Sequence, residues 1–166
     1  METTYVLTAE MDALSFAWLD ALRREYFPEE RNVLSAHLTL FHKLSSAQIA
    51  CVRSFGTPSV PITIRFDRVV FLGNGVAIGV RCAALERLRN EARSAMEGEL
   101  SQHDRQPWKP HVTVQNKVSA ETGRQLYRIL EANFTERAGA ATGLLVWEYL
   151  GGPWRLSERI AFGKVV

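Results

Sequence analysis

One seven-residue pattern occurs twice in this chain. Residues 37–43 read His-Leu-Thr-Leu-Phe-His-Lys, and residues 111–117 read His-Val-Thr-Val-Gln-Asn-Lys. Both fit His, aliphatic, Thr, aliphatic, two free positions, Lys. Such alternation, bounded by polar or Pro-containing segments, predicts a β-strand. Successive strand side chains point to opposite faces. His37 and Thr39 therefore share one face, with Leu38 and Leu40 on the other. His111 and Thr113 share a face opposite Val112 and Val114. Any fold of this chain must bury two aliphatic strand faces and present, on each, an imidazole beside a hydroxyl.

The surrounding elements repeat as well. Tyr5 to Met11 is strand-like, and Asp12 can cap a helix over roughly 12–26, marked by Leu14, Trp18, Leu22 and Tyr26. Pro28 ends it, and a charged loop follows. The first motif strand covers about 34–42. Ser45 or Ser46 caps a short helix over 46–55. Ile62 to Phe71 reads as a strand with an irregularity near Asp67, and Gly73-Asn74-Gly75 turns the chain into Val76–Val80. A long helix spans 84–102. A polar loop from Gln102 to Pro110 leads into the second motif strand, 110–116. Ser119 caps a helix over 120–135. Gly139 and Gly143 punctuate the return to a strand over Leu144–Leu150. Gly151-Gly152-Pro153 turns into a last strand, Trp154–Phe162. Each motif strand is thus followed by a capped helix and then by paired strands.

At 166 residues the chain suits one compact domain or two small fused lobes. A net charge of +2 gives no basic excess of the kind extended nucleic-acid binding requires. It leaves room for a small phosphorylated ligand held by local charge. Cys51 and Cys82 have no metal-ligand or redox spacing, so reduced thiols are expected. The N-terminus lacks the basic start and apolar block of a signal peptide, and no apolar run reaches membrane-spanning length. A cytoplasmic monomer without membrane association is the expectation.

The paired motifs, HLTL at 37–40 and HVTV at 111–114, resemble the signature of the 2H phosphoesterase superfamily. That superfamily includes the 2′–5′ RNA ligase-like proteins and the cyclic nucleotide phosphodiesterases. The resemblance covers nearly the whole chain. It implies an α+β fold, residues 1–166 forming one two-lobed duplicated unit. Antiparallel sheets would line a central cleft, with helices on the outer faces and one His-Thr pair on each wall. It implies a nucleotide or RNA-end cyclic phosphate as substrate, with 2′–5′ RNA ligation or simple nucleotide binding as alternatives. It also implies that His111 is the base that activates water and His37 the acid that protonates the leaving oxygen. The residues themselves are nearly symmetric and do not choose.

Two imidazoles flanking one group supply a base and an acid near neutral pH. The Thr39 and Thr113 hydroxyls can donate to phosphoryl oxygens. In-line displacement at phosphorus places nucleophile and leaving group on opposite sides, which suits an acid and a base on facing walls. Two hydroxyls and a cation can stabilise the developing charge without a cofactor or metal. No His-x-x-x-His occurs, and no Asp or Glu stands two residues from either motif His. No Gly-x-Ser-x-Gly occurs either. By parity Phe41 and Gln115 share the His-Thr face and are candidates to contact a nucleoside. Lys43 and Lys117 are candidates for charge at the cleft mouth, although six residues of strand, about 20 Å, separate each from its motif His. Trp108, Trp147, Tyr149 and Trp154 could stack on a base. His42 and His103 are expected to stand outside the chemistry.

Overall fold

The motif strands, β2 (Leu38–Leu44) and β5 (His111–Gln115), occupy the two ends of the strand order in one seven-stranded antiparallel sheet. The computed structural model describes residues 1–163. Between the motif strands lie β1 (Tyr5–Met11), β6 (Arg137–Tyr149), β3 (Ile62–Phe71) and β4 (Val76–Arg81), in the order β2-β1-β6-β3-β4-β5. The seventh strand, β7 (Trp154–Ala161), pairs with β6. β6 joins the two ends of the sheet: residues 137–141 pair with β3, while residues 141–148 pair with β1. The end strands β2 and β5 nevertheless contact each other, so the sheet curls back on itself.

The helices are α1 (Ala13–Tyr26), α2 (Ser46–Ser54), α3 (Ala83–Ala95), the single turn α4 (Gln102–Arg105) and α5 (Ala120–Ala132). A 3-10 turn at Glu29–Arg31 lies in the charged loop. The expected caps form. Asp12 accepts from the Ser15 amide, Ser119 from the Thr122 amide, and Ser45 with Gln48 makes a full capping box. Cys82 supplies a cap the sequence did not suggest: its sulfur accepts from the Leu85 amide at 3.4 Å. No described helix is long and apolar enough to cross a membrane.

Two elements differ from the sequence reading. The long helix ends at Ala95, not 102, because Met96 is extended and Gly98 takes a φ of +85°. α4 then starts anew within the stretch read as loop. β6 starts at Arg137, seven residues early, so Gly139 and Gly143 lie inside a strand and not in turns. Both mark close approach. A Cβ at 139 would collide with the Ser15 hydroxyl of α1, and one at 143 would stand 2.7 Å from the Ile160 carbonyl. The irregularity expected near Asp67 is present as a register shift between Phe66 and Arg68.

Leu38, Leu40, Val112 and Val114 are all essentially inaccessible, so both motif strands bury their aliphatic faces in the core. Each such side chain contributes about 1.5–3 kcal/mol over its exposed state. That burial fixes register, because a one-residue slip would turn the imidazoles inward.

Candidate active site

The same irregularity interrupts both motif strands at the same place. Along β2, Thr39 pairs with Thr8 and Phe41 with Leu7, leaving Leu40 as the extra residue. Along β5, Thr113 pairs with Ala77 and Gln115 with Val76, leaving Val114 as the extra residue. A bulge of this kind turns the following side chain to the opposite face. Parity from His37 and His111 therefore fails beyond the fourth residue. Phe41 is fully buried and Gln115 nearly so, and neither lines the cavity described below, which corrects the face expected for both. Gln115 Oε1 has no hydrogen-bond partner. His42, which strict alternation from His37 would put on the opposite face, lines the cavity.

His37, Thr39, His111 and Thr113 line a single cavity of about 910 Å³, together with His42, Arg89, residues 102–104 and residues 106–109. The two motif imidazoles are held alike. His37 Nδ1 donates to the Ser35 carbonyl at 2.8 Å, and His111 Nδ1 donates to the Lys109 carbonyl at 2.7 Å. A carbonyl can only accept, so each Nδ1 bears a proton and each Nε2 is left for the cavity. Both tethers reach back two residues. Lys43 and Lys117 are exposed and stand outside this cavity; Lys43 borders a separate one with Glu2, Ser45 and Glu99. Lys117 sits in a tight turn with a φ of 60°.

End strands leave carbonyls without ladder partners. Here side-chain donors fill those positions and tie the two motif strands to one another's surroundings. Arg23 of α1 donates to the Thr113 and Leu34 carbonyls at 2.9 and 2.8 Å. Arg89 of α3 donates to the Leu40 and Asp104 carbonyls at 2.7 and 3.0 Å. Trp108 Nε1 donates to the Thr39 carbonyl at 3.0 Å. Both arginines are almost wholly buried and stack on aromatic rings: Arg23 on Phe27 at 4.3 Å, and Arg89 on Phe41 at 4.6 Å. Phe41 thus supports the cavity from beneath. The sequence carried a signal for both arginines: each follows an apolar helix residue, Leu19 or Leu85, by four positions and so lies on the buried stripe.

Burial pushes the His37 imidazole down to about 4. The Ser35 carbonyl opposes this, and interaction with the neighbouring Arg23, His42 and His111 reinforces it. His37 is neutral in the free protein at pH 7. Trp154 packs against the His37 ring at 4.7 Å, and Trp147 lies 6.0 Å beyond Trp154. These rings border a second, more apolar hollow of about 710 Å³ that shares His37 as its boundary with the first. Tyr149 borders neither hollow. Among the described residues, no group of three or more His, Cys, Asp or Glu side chains is placed to hold a metal ion.

Residues 12–153 match the family model of the 2'-5' RNA ligase superfamily. The fold is similar to that of Escherichia coli LigT complexed with 3'-AMP, with a TM-score of 0.65, 18% identity, and coverage of 99% of this chain and 100% of that chain. It is also similar to TT0787 of Thermus thermophilus, with a TM-score of 0.67, 14% identity, and coverage of 98% and 100%. A solved phosphoesterase gives a TM-score of 0.62 at 17% identity, with coverage of 99% and 100%. No curated protein matches the sequence. At such identities the likenesses establish a common fold, while the family match spans both motifs. The chain is a member of the 2'-5' RNA ligase superfamily, the 2H phosphoesterases.

Proposed function

We propose that this protein is a phosphoesterase that opens 2′,3′-cyclic phosphates on nucleotides or RNA ends, using His37 and His111 as an acid–base pair without a metal. The observation that carries the reading is the convergence of His37, Thr39, His111 and Thr113 on one cavity. In the proposed step, one imidazole takes a proton from water as its oxygen bonds to phosphorus. The bond from phosphorus to one ribose oxygen breaks in line, and the other imidazole protonates that oxygen. The products are a phosphomonoester and a free hydroxyl. Thr39 and Thr113 donate to the non-bridging oxygens. The apolar hollow beside Trp154 gives room for a nucleoside. We read the recurrence of strand-helix-strand-helix-strand, β1 to β3 and β4 to β6, as a duplicated unit whose halves form the walls of a substrate cleft.

We assign His111 as base and His37 as acid. A neutral His37 must then gain its proton on binding, and the phosphate anion supplies the reason: a negative charge beside the ring favours the imidazolium. Escherichia coli LigT has been solved with 3'-AMP and with phosphate, ligands whose chemistry fits this cavity. Ligation would be the same displacement with a hydroxyl of a second RNA attacking the cyclic phosphate in place of water, one ribose oxygen again leaving and taking a proton. The test is incubation with cyclic nucleotides and cyclic-phosphate RNA ends in the presence of a chelator. Turnover supports the reading. Loss of all activity in chelator rejects its metal-free part, and absence of turnover on every substrate leaves a nucleotide-binding module.

A further inference from the structure

All four histidines of the chain line the same cavity. His37 and His111 account for the reaction; His42 and His103 do not. Their two rings lie 3.9 Å apart between centroids, tilted by 44°. His42 Nδ1 is 3.1 Å from Asp104 Oδ1, and Asp104 is 1% exposed. The same carboxylate accepts the amides of His42 and Lys43 at 2.8 and 2.9 Å and the Ser101 hydroxyl at 3.0 Å. A carboxylate on Nδ1 fixes the proton there and leaves Nε2 of His42 turned away from Asp104.

Asp104 is the one carboxylate among the described residues that line the cavity, and each of its oxygens already receives two or more donors. The other charged lining groups, Arg89 and Lys109, are cationic. A wall with basic groups and no free carboxylate attracts anions. Burial and the neighbouring His42 hold the His103 imidazole below its ordinary value, and an anion resting against the pair favours its charged form. Space is sufficient: about 910 Å³ lies in the range that takes a whole small-molecule ligand, not one phosphoryl group. His42 follows Thr39 by three residues, about 10 Å of strand. It therefore addresses a different part of the ligand from the reacting phosphorus.

We propose that His42 and His103 form a second anion station that takes another phosphate of the same substrate. This rests on the reading of His37 and His111 as the reacting station. The preferred substrates are then nucleotides or oligonucleotides that carry at least two phosphates, and a lone nucleoside 2′,3′-cyclic phosphate is a minimal substrate that leaves the second station empty. Calorimetric dissociation constants for adenosine 3′-phosphate and adenosine 3′,5′-bisphosphate test this, measured on the wild type, His42→Asn and His103→Asn. The bisphosphate should bind the wild type about 10- to 100-fold more tightly, the range for one charge-assisted hydrogen bond or two. The advantage should fall toward unity in each variant. His103 is exposed, so His103→Asn leaves the core untouched and stands as the readout should His42→Asn fold poorly. Equal wild-type affinities overturn the proposal, as does an advantage that both variants retain. The two readings fail separately. A protein that opens cyclic phosphates without preferring the bisphosphate loses only the second station, and one with the preference but no turnover loses only the reaction.

Discussion

Filling the cavity with an anion should drive a proton onto His37. In the free protein, burial holds that imidazole at about 4, so at pH 6.5 roughly 0.3% of it is charged. A single negative charge about 4 Å away, at an effective dielectric of about 20, interacts by roughly 4 kcal/mol. At 1.36 kcal/mol per unit this raises the pKa by about 3, to near 7. Binding at pH 6.5 should therefore take up roughly 0.7 proton at His37. Sulfate is the clean probe, because it does not titrate in this range; as a dianion it should bring the uptake closer to one proton than the single charge does. Calorimetry in two buffers of different ionisation enthalpy gives the proton count, and the difference between wild type and His37→Ala isolates this ring. Its imidazole resonances should report the same change. A His37 already charged in the free protein at pH 6.5 would refute the reasoning, as would anion binding with no proton uptake assignable to it.

The acid and base roles separate with a substrate whose leaving oxygen departs without protonation: His37→Ala should recover much of its rate while His111→Ala stays slow, and the opposite pattern would exchange the roles. A pH–rate profile cannot do this, since its bell shape reports the pair's macroscopic values. Thr39→Val and Thr113→Val should each lower kcat by about 10²–10³, the range for one lost donor to developing charge, with KM changed less. Asp104→Ala should destabilise the fold by about 2–4 kcal/mol at pH 7 in denaturant titrations, because it strips the His42 and Lys43 amides of their buried acceptor. Burial raises the Asp104 pKa, but hydrogen bonds from His42, Lys43 and Ser101 outweigh it and leave the group below its ordinary value. Its contribution is therefore present above the ordinary carboxylate range and lost as pH falls through the lowered pKa. The gap between wild type and Asp104→Ala should accordingly narrow in acid.

The strand faces around both motifs were legible in the sequence because alternation is a local property. The Leu40 and Val114 bulges were not, since an inserted strand residue carries no residue-type mark, and so Phe41 and Gln115 were placed on the wrong face. Helix starts could be read from Asp12, Ser45 and Ser119. The break after Ala95 was hidden because Leu100 continued the apolar spacing past Gly98. Gly139 and Gly143 look like turns in one dimension and prove to be contacts with α1 and β7 in three. The gathering of His42 and His103 with the motif pair depends on α4 folding over β2 through Asp104, a contact across 62 residues that no local pattern announces.

The central claim is most directly tested by the rate at which uridine 2′,3′-cyclic phosphate is opened in chelator by the wild type, His37→Ala and His111→Ala. The account predicts wild-type turnover and a loss of about 10²–10⁴ in each variant, the range for a missing general acid or base. Full activity in either variant, or no opening by the folded wild type, would contradict it.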